Sequence, residues 1–331
     1  MRLVLALPGL LASGVDAQRG APRLARLLAA SGVPASLDHG IGAALAPNYG
    51  VVRQTDWPLA PIRLAHLGVD PEEGYWLNAT PVTLVATHDD IRFAGAVLDL
   101  GREEAAALIA SLATHFAADG IAFVAPVPDA WFVRAPAAPD LATRPLDALA
   151  GRALRDAMPD GRDARTWRRW QNEIQMLLVE HPVNVARAKA GRAPANSVWL
   201  SEGGVRPPAV PLSAPIRTWA NGGIAAALAS HVGARASKLP ESLDPLLAEA
   251  RSDATLVAAL DDTLDLAHVE RAWAAPAARA LARGTLDAVT LIGDGDGHAA
   301  MWTARRAGVW QRLAAALLSP DLAALLAAVR D

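Results

Sequence analysis

The stretch HPVNVARAKAGRAPANSVWL, residues 181–200, decides how this chain is read. It ends a run in which Trp167, Trp170, Ile174, Leu177, Leu178 and His181 fall on one helix face, and Pro182 closes that run because its ring removes a donor and crowds the preceding turn. Gly191 permits a turn, Pro194 sets the approach to a strand over 197–200, and Asn196 is placed to bond its own backbone. Two readings of its polar residues stand side by side. In one, the segment is architecture, positioning a crossing between domains. In the other, His181, Asn184, Arg187 and Asn196 bind a ligand, with Arg187 offering the planar fork that grips phosphate.

Outward from this segment, strands alternate with helices. Residues 3–6 read as a buried strand, followed by a helix opened by Pro22, carrying Leu24, Leu27 and Leu28, and stopped at Gly32. Prolines 58, 61 and 71 interrupt the chain before strands at 75–85 and 91–98, which flank a turn at His88, Asp89 and Asp90. A helix over 102–118 has Glu103 and Glu104 in its first turn and Gly120 past its end, and a strand at 121–125 follows it. Beyond residue 200, helices at 224–231 and around Val269 to Leu281 alternate with strands at 255–260 and 288–292, and an Ala-rich helix spans 313–329. This alternation predicts an α/β protein with a layered, largely parallel sheet, helices on both faces, and a smaller inserted α+β domain. The changes in pattern put the insert at 69–181 and the core at 1–68 with 182–331.

Composition narrows the function classes. The 331 residues are 52% hydrophobic and 20% charged, with a net charge of −3, which predicts a folded globular chain with no basic field for nucleic acid. Arg162, Arg165, Arg168 and Arg169 are the nearest thing to a basic cluster, and Trp167 and Trp170 interleave them at helical spacing, so they read as a solvated helix face. The absence of cysteine excludes disulfides, thiol nucleophiles and thiolate metal sites. The apolar start reads as a first strand and not as a secretory signal, because Pro8 and Gly9 interrupt it. No stretch is long and apolar enough to span a bilayer, so no membrane partner and a cytoplasmic location are expected. There is no Gly-x-Ser-x-Gly elbow and no phosphate loop at Gly203-Gly204 or Gly222-Gly223. The eight histidines form no closely spaced pair, and the ten tryptophans fill gaps between sheet and helices or, as with Trp57 and Trp76, form an interaction surface.

The 181–200 segment, with the preceding Asn172, Gln175, Met176, Leu177 and Leu178, resembles a signature of the archaeal-type cofactor-independent phosphoglycerate mutases, in the version of their bacterial relatives called RpfE-type regulatory proteins. More loosely, Gly74 to Ala79 and Trp131-Phe132-Val133 look like the inserted substrate domain of those mutases, and Ala21 to Leu27 is similar to a helix of the wider alkaline phosphatase superfamily. The resemblance implies an alkaline-phosphatase-like core and, in active members, two divalent metals (manganese or zinc) beside a Ser or Thr that takes up the phosphoryl group.

Here the chain departs from that pattern. The first metal carboxylate belongs in an Asp-Gly pair after the first strand, where this sequence reads Ala6-Leu7-Pro8-Gly9, and Leu or Pro cannot ligate a hard cation. Ser13, Ser31 and Ser36 lie nearby without a metal-binding context, and apolar Leu77 and Trp131 stand near places where mutases use Arg. The nearest replacement for the later ligands is Asp294, Asp296 and His298 in GDGDGH, which also reads as an exposed tight turn. The expectation is therefore a mutase-like protein without its metal cofactors, regulating through a protein partner or a small phosphorylated ligand. The alternative is a divergent phosphomutase or phosphatase with two metals at Asp294, Asp296 and His298.

Overall fold

The computed structural model describes residues 1–15, 20–86, 88, 91–146, 158–249, 253–261, 265–306 and 320–330. Two compact units form: Met1–Gly50 together with Ala209–Asp331, and Val51–Pro208. Elements are numbered along the chain.

The first unit is built on β1 (Arg2–Leu7), which lies between two parallel neighbours, β9 (Thr255–Ala259) and β10 (Ala288–Gly295). Beyond β9 lies parallel β8 (Ile216–Trp219), while β11 (His298–Arg305) and β2 (Ala35–Ser36) complete the other side in antiparallel steps. A parallel central strand is covered on both faces, which is why β1 is an unbroken apolar run. Its alternating side chains divide between two layers. Leu3, Leu5 and Leu7 share a core with Leu24, Leu27 and Leu28 of α1 (Pro22–Ala30). Ala6 faces a cavity shared with Ile41 and Leu45 of α2 (Gly40–Leu45) and Ala225 of α7 (Gly223–His231).

A long helix begins as α9 (Leu266–His268), widens into a π-helical stretch, Val269–Ala274, and continues as α10 (Ala275–Arg283). Pro276 has no N–H to offer the Ala272 carbonyl one turn earlier, and that carbonyl instead accepts Leu243 N–H at 3.0 Å. The segment leading into α8 (Asp244–Glu249) is thereby pinned against the π turn. The final helix, α11 (Leu322–Arg330), adds Leu322 and Leu326 to the α1 core. Of the helix expected at 313–329, residues 313–319 lie outside those described.

The second unit holds an antiparallel sheet. Its long strand β3 (Tyr75–Ala86) pairs with β4 (Ile91–Ala96) and β6 (Ala130–Ala135) along one edge and β7 (Ser197–Val205) along the other, and β5 (Ala122–Val127) pairs with β6. Asp89 and Asp90 of the expected β3–β4 turn are outside the described residues. Over the sheet, α4 (Arg102–Phe116) buries Leu108, Leu112 and Phe116 in one core with Trp167, Ile174 and Leu178 of α5 (Ala164–Val179). Trp76 and Phe132 pack with Ala60 and Leu64 of α3 (Leu59–His66). The buried Asp56 carboxylate accepts Trp57 N–H (2.8 Å), Thr143 N–H (3.1 Å), Gly203 N–H (3.3 Å) and the Thr143 hydroxyl.

The observed unit boundaries differ from the expected 69 and 181. Residues 51–68 join the second unit through α3 and Asp56, and residues 182–208 join it because β7 is a strand of the antiparallel sheet. Pro182 also does more than stop a helix. After α5 ends at Val179, it occupies the first turn of a further helix, α6 (Pro182–Lys189), where a missing N–H costs nothing. His181 is accordingly the N-cap of α6 and not the last residue on the α5 face. Among the described residues, no helix is long and apolar enough to cross a membrane.

The β10–β11 hairpin closes through two residues, Asp296 (φ 49°) and Gly297 (φ 80°), the backbone pattern that Asp-Gly favours because both positions are left-handed. At the adjacent Gly295 (φ 147°), a Cβ would stand 2.2 Å from Ala12 N and 2.5 Å from the Leu11 carbonyl carbon. Gly295→Ala should therefore cost about 3 kcal/mol through strain and backbone displacement. Gly32→Ala, with φ 72° and open space around it, should cost only about 1 kcal/mol. Urea unfolding of the two variants beside the parent measures the difference.

Candidate functional site

The polar side chains of residues 181–200 are engaged within the second unit. Asn184 donates to Leu178 O (2.7 Å) and Ala195 O (2.9 Å) and accepts Ala195 N–H (2.9 Å), tying the end of α5 to the approach of β7. Asn196 exchanges two hydrogen bonds of 2.8 Å with the backbone of Leu84 in β3, not with its own backbone as the sequence suggested. Arg187 is 1% exposed. Its Nε donates to Ala193 O (2.8 Å), Nη1 to Glu104 Oε2 (2.8 Å) and Nη2 to Asp99 Oδ1. Arg192 reaches the same two carboxylates from the solvent side, with Nε 3.2 Å from Asp99 and Nη1 3.0 Å from Glu104.

The hydrogen bond from Arg187 holds the Asp99 carboxyl below the usual carboxylate range, with Arg192 adding to the effect. For Glu104, burial pushes the carboxyl up but is outweighed by the Gly101 N–H and the two guanidinium groups, so the net direction is also down. This fork grips two of the chain's own carboxylates, and a phosphate would have to displace them. Leu77 and Trp131, standing where arginines were sought, are core residues of the same unit.

One pairing was missed in the sequence. His181 Nε2 lies 3.0 Å from Ser111 Oγ, the contact expected of a hydroxyl nucleophile and its base. The other ring nitrogen, however, accepts Val183 N–H at 3.2 Å as the cap of α6. With Nδ1 accepting, the neutral ring carries its proton on Nε2 and donates it to Ser111, which is the wrong tautomer for a general base. Burial also lowers the His181 pKa, favouring that neutral form.

In the first unit, the GDGDGH carboxylates meet the turn that follows β1. Asp294 Oδ1 accepts Gly9 N–H at 2.9 Å, its carbonyl accepts Leu11 N–H at 2.8 Å, and Asp296 Oδ2 accepts Ser13 N–H at 2.5 Å. Arg330 of α11 donates to Ala12 O at 2.9 Å from the other side. The Ser13 hydroxyl and N–H together hold the Asp296 carboxyl below its ordinary range. His298 pairs with Gly295 across the hairpin. Of the other serines, Ser31 donates to Leu27 O at 2.8 Å and Ser36 lies in β2 opposite Ala300. The N-terminus of α1 is capped in trans, with Glu270 accepting Arg23 N–H and Leu24 N–H, each at 2.9 Å.

Two divalent metals, as the resemblance implies, do not fit this donor set. The first-strand position is Leu7, fully buried and apolar, and an oxygen of each hairpin carboxylate is engaged by a backbone N–H. Among the described residues, no group of three or more His, Asp and Glu side chains is placed to hold a metal ion.

A further set lies at the carboxyl ends of β1 and β9, where open α/β sheets place ligands. Asn221 donates to Asp261 at 2.9 Å and accepts Leu239 N–H at 3.2 Å, and clefts open on both sides of this bridge. One cleft includes Lys238, Glu241, Asp265 and His268. Asp265 caps α9 by accepting Ala267 N–H at 2.9 Å and His268 N–H at 3.2 Å. An Asp followed three residues later by His, in the segment after β9, is the signal the sequence carries.

No protein-family model matches this chain, and no curated protein matches it. Solved structures do resemble it. A cofactor-independent phosphoglycerate mutase from Thermoplasma acidophilum DSM 1728 aligns with a TM-score of 0.40 at 15% identity, over 99% of this chain and 98% of that one. The PH0037 protein from Pyrococcus horikoshii aligns with a TM-score of 0.45 at 12% identity, over 92% of this chain and 87% of that one. Likenesses of this size carry no argument about activity.

Proposed function

We propose that this chain is a phosphoglycerate mutase-like protein that works without the metal-dependent phosphoryl-transfer site, regulating by binding a ligand or a partner as the RpfE-type resemblance implies. The observation that supports this reading most is the hairpin clamp. Asp294 and Asp296, the carboxylates nearest to a metal-ligand pattern, each commit an oxygen to the Gly9 or Ser13 N–H, while the first strand ends at Leu7 and is followed by Pro8. A carboxylate in that role stabilises a turn and leaves a hard cation short of donors. In this reading the protein has no resident cofactor, works in the cytoplasm, and does not engage nucleic acid or membrane. A metal-dependent phosphomutase or phosphatase using Asp294, Asp296 and His298 is the competing reading.

Calorimetric titration of chelator-treated protein with manganese and with zinc separates the two, with thermal unfolding as a parallel measure. No saturable heat and no rise in Tm are expected, whereas two tight equivalents would sink the proposal. The pH dependence gives an independent check. The folded pKa of Asp296 is depressed, so its contribution is fully present above the unfolded value of about 3.9 and is lost as pH falls through the folded value. Asp296→Asn should accordingly melt below the parent at neutral pH, with or without chelator, and the gap should close as pH drops below about 4. A gap that appears only with metal present would mark Asp296 as a ligand.

The architectural reading of Arg187 is tested by unfolding in urea. Arg187→Ala removes a buried guanidinium bonded to Asp99, Glu104 and Ala193 O, and should cost about 2–3 kcal/mol, discounted because both carboxylates stay partly solvated. Arg192→Ala, at the exposed side of the same network, should cost much less.

A further inference from the structure

We infer that the cleft at the carboxyl edge of the first unit binds a free α-amino acid with an apolar side chain. This rests on the binding reading above and names the ligand's chemical class. The Asn221–Asp261 bridge divides the cleft into two lobes, of about 300 and 230 Å³, at the lower end of the roughly 300–1,000 Å³ range of small-molecule sites. The larger lobe is walled by Ile41, Leu45 and Ala225, with Ala6 at the end of β1. The smaller has Trp273, a buried side chain, in its wall, and carries charges of both signs at an exposed rim, Lys238 and Glu241, with Asp265 and His268 beside them.

An apolar lobe next to a rim of mixed charge selects a molecule with a short apolar chain beside an ammonium and a carboxylate. A phosphate ester or a simple fatty acid would face Glu241, Asp261 and Asp265 without a compensating cation of its own. The site is also preformed. Ser237 N–H is held by the Thr218 carbonyl at 2.8 Å, Leu239 N–H by Asn221, and Leu243 N–H by the Ala272 carbonyl that Pro276 leaves open, so the segment bearing Lys238 and Glu241 is fixed at both ends. Preorganised walls reduce the entropy lost on binding.

The test is isothermal titration of the full chain, after chelator treatment, with L-leucine, L-phenylalanine, glycine, isoamylamine and 4-methylpentanoate. Saturable 1:1 binding of L-leucine or L-phenylalanine is expected, with glycine and the two singly charged analogues at least about tenfold weaker, because each lacks either the apolar chain or one charged hydrogen-bonding group. Lys238→Ala and Glu241→Gln, both at exposed positions, should each lower L-leucine affinity about tenfold and leave the ligand-free Tm unchanged. No saturable heat from either amino acid, or equal binding of 4-methylpentanoate, overturns the assignment while leaving the metal-free reading intact. Binding that appears only after manganese or zinc is added overturns the metal-free reading on which the assignment rests.

Discussion

Two carboxylates at the tip of one hairpin hold the first turn of the chain in place, and the first unit is arranged around that contact. The turn after β1 leaves a strand buried on both faces, so its N–H groups must find acceptors close to the sheet or remain unsatisfied. Asp294 and Asp296 supply them to Gly9 and Ser13, and the Asp294 carbonyl serves Leu11. Such a close approach is possible because β10 carries glycine where the turn crosses it. A Cβ at Gly293 would stand 2.9 Å from Leu10 Cβ, and one at Gly295 would strike the Ala12 backbone. The GDGDG sequence thus meets two demands at once: absent side chains for contact, and carboxylates for the donors that the contact brings in.

The same economy governs the second unit, where a buried cation replaces the anchored turn. Arg187 could not be taken to 1% exposure without partners, and it has them in Asp99, Glu104 and the Ala193 carbonyl. Glu104 also accepts Gly101 N–H at 2.8 Å at the start of α4, so one carboxylate joins the helix entry to α6. Asn184 and Asn196 extend the connection to α5 and to β3. The run from His181 to Leu200 is therefore a junction where three helices and two strands are joined by hydrogen bonds. Residues that must satisfy one another in this way are constrained in type and spacing.

How much of this was legible in the sequence depended on the range of the interaction. Features set by neighbours along the chain were readable: the apolar run of β1, Pro22 in the first turn of α1, the acidic start of α4, and the tight turn within GDGDGH. Features set by distant partners were not. Pro182 is equally able to stop a helix and to start one, and only the caps around it decide. The placement of β7 depends on β3, more than a hundred residues away, so the expected boundary at 181 fell inside a packed unit. Ser111 and His181 are 70 residues apart, and the tautomer that sets their hydrogen bond depends on a backbone N–H at Val183. The cleft residues were not legible either, because Lys238, Asp261 and His268 come together only through the π turn and the Asn221 bridge.

The clamp and the cleft share one cause. In a parallel sheet, the carboxyl ends of the strands present backbone and side chains to a common edge, whatever chemistry the chain performs there. A metal enzyme fills that edge with ligands aimed at a shared point. In this chain the β1–β10 end of the edge is closed by its own turn, and the β9 end remains open, with apolar walls on one side and charges on the other. Closing one end with its own turn occupies an oxygen of each hairpin carboxylate, but it does not change the shape of the open end. Recognition at such an edge depends on its walls, whereas metal chemistry depends on a few oxygens at its centre.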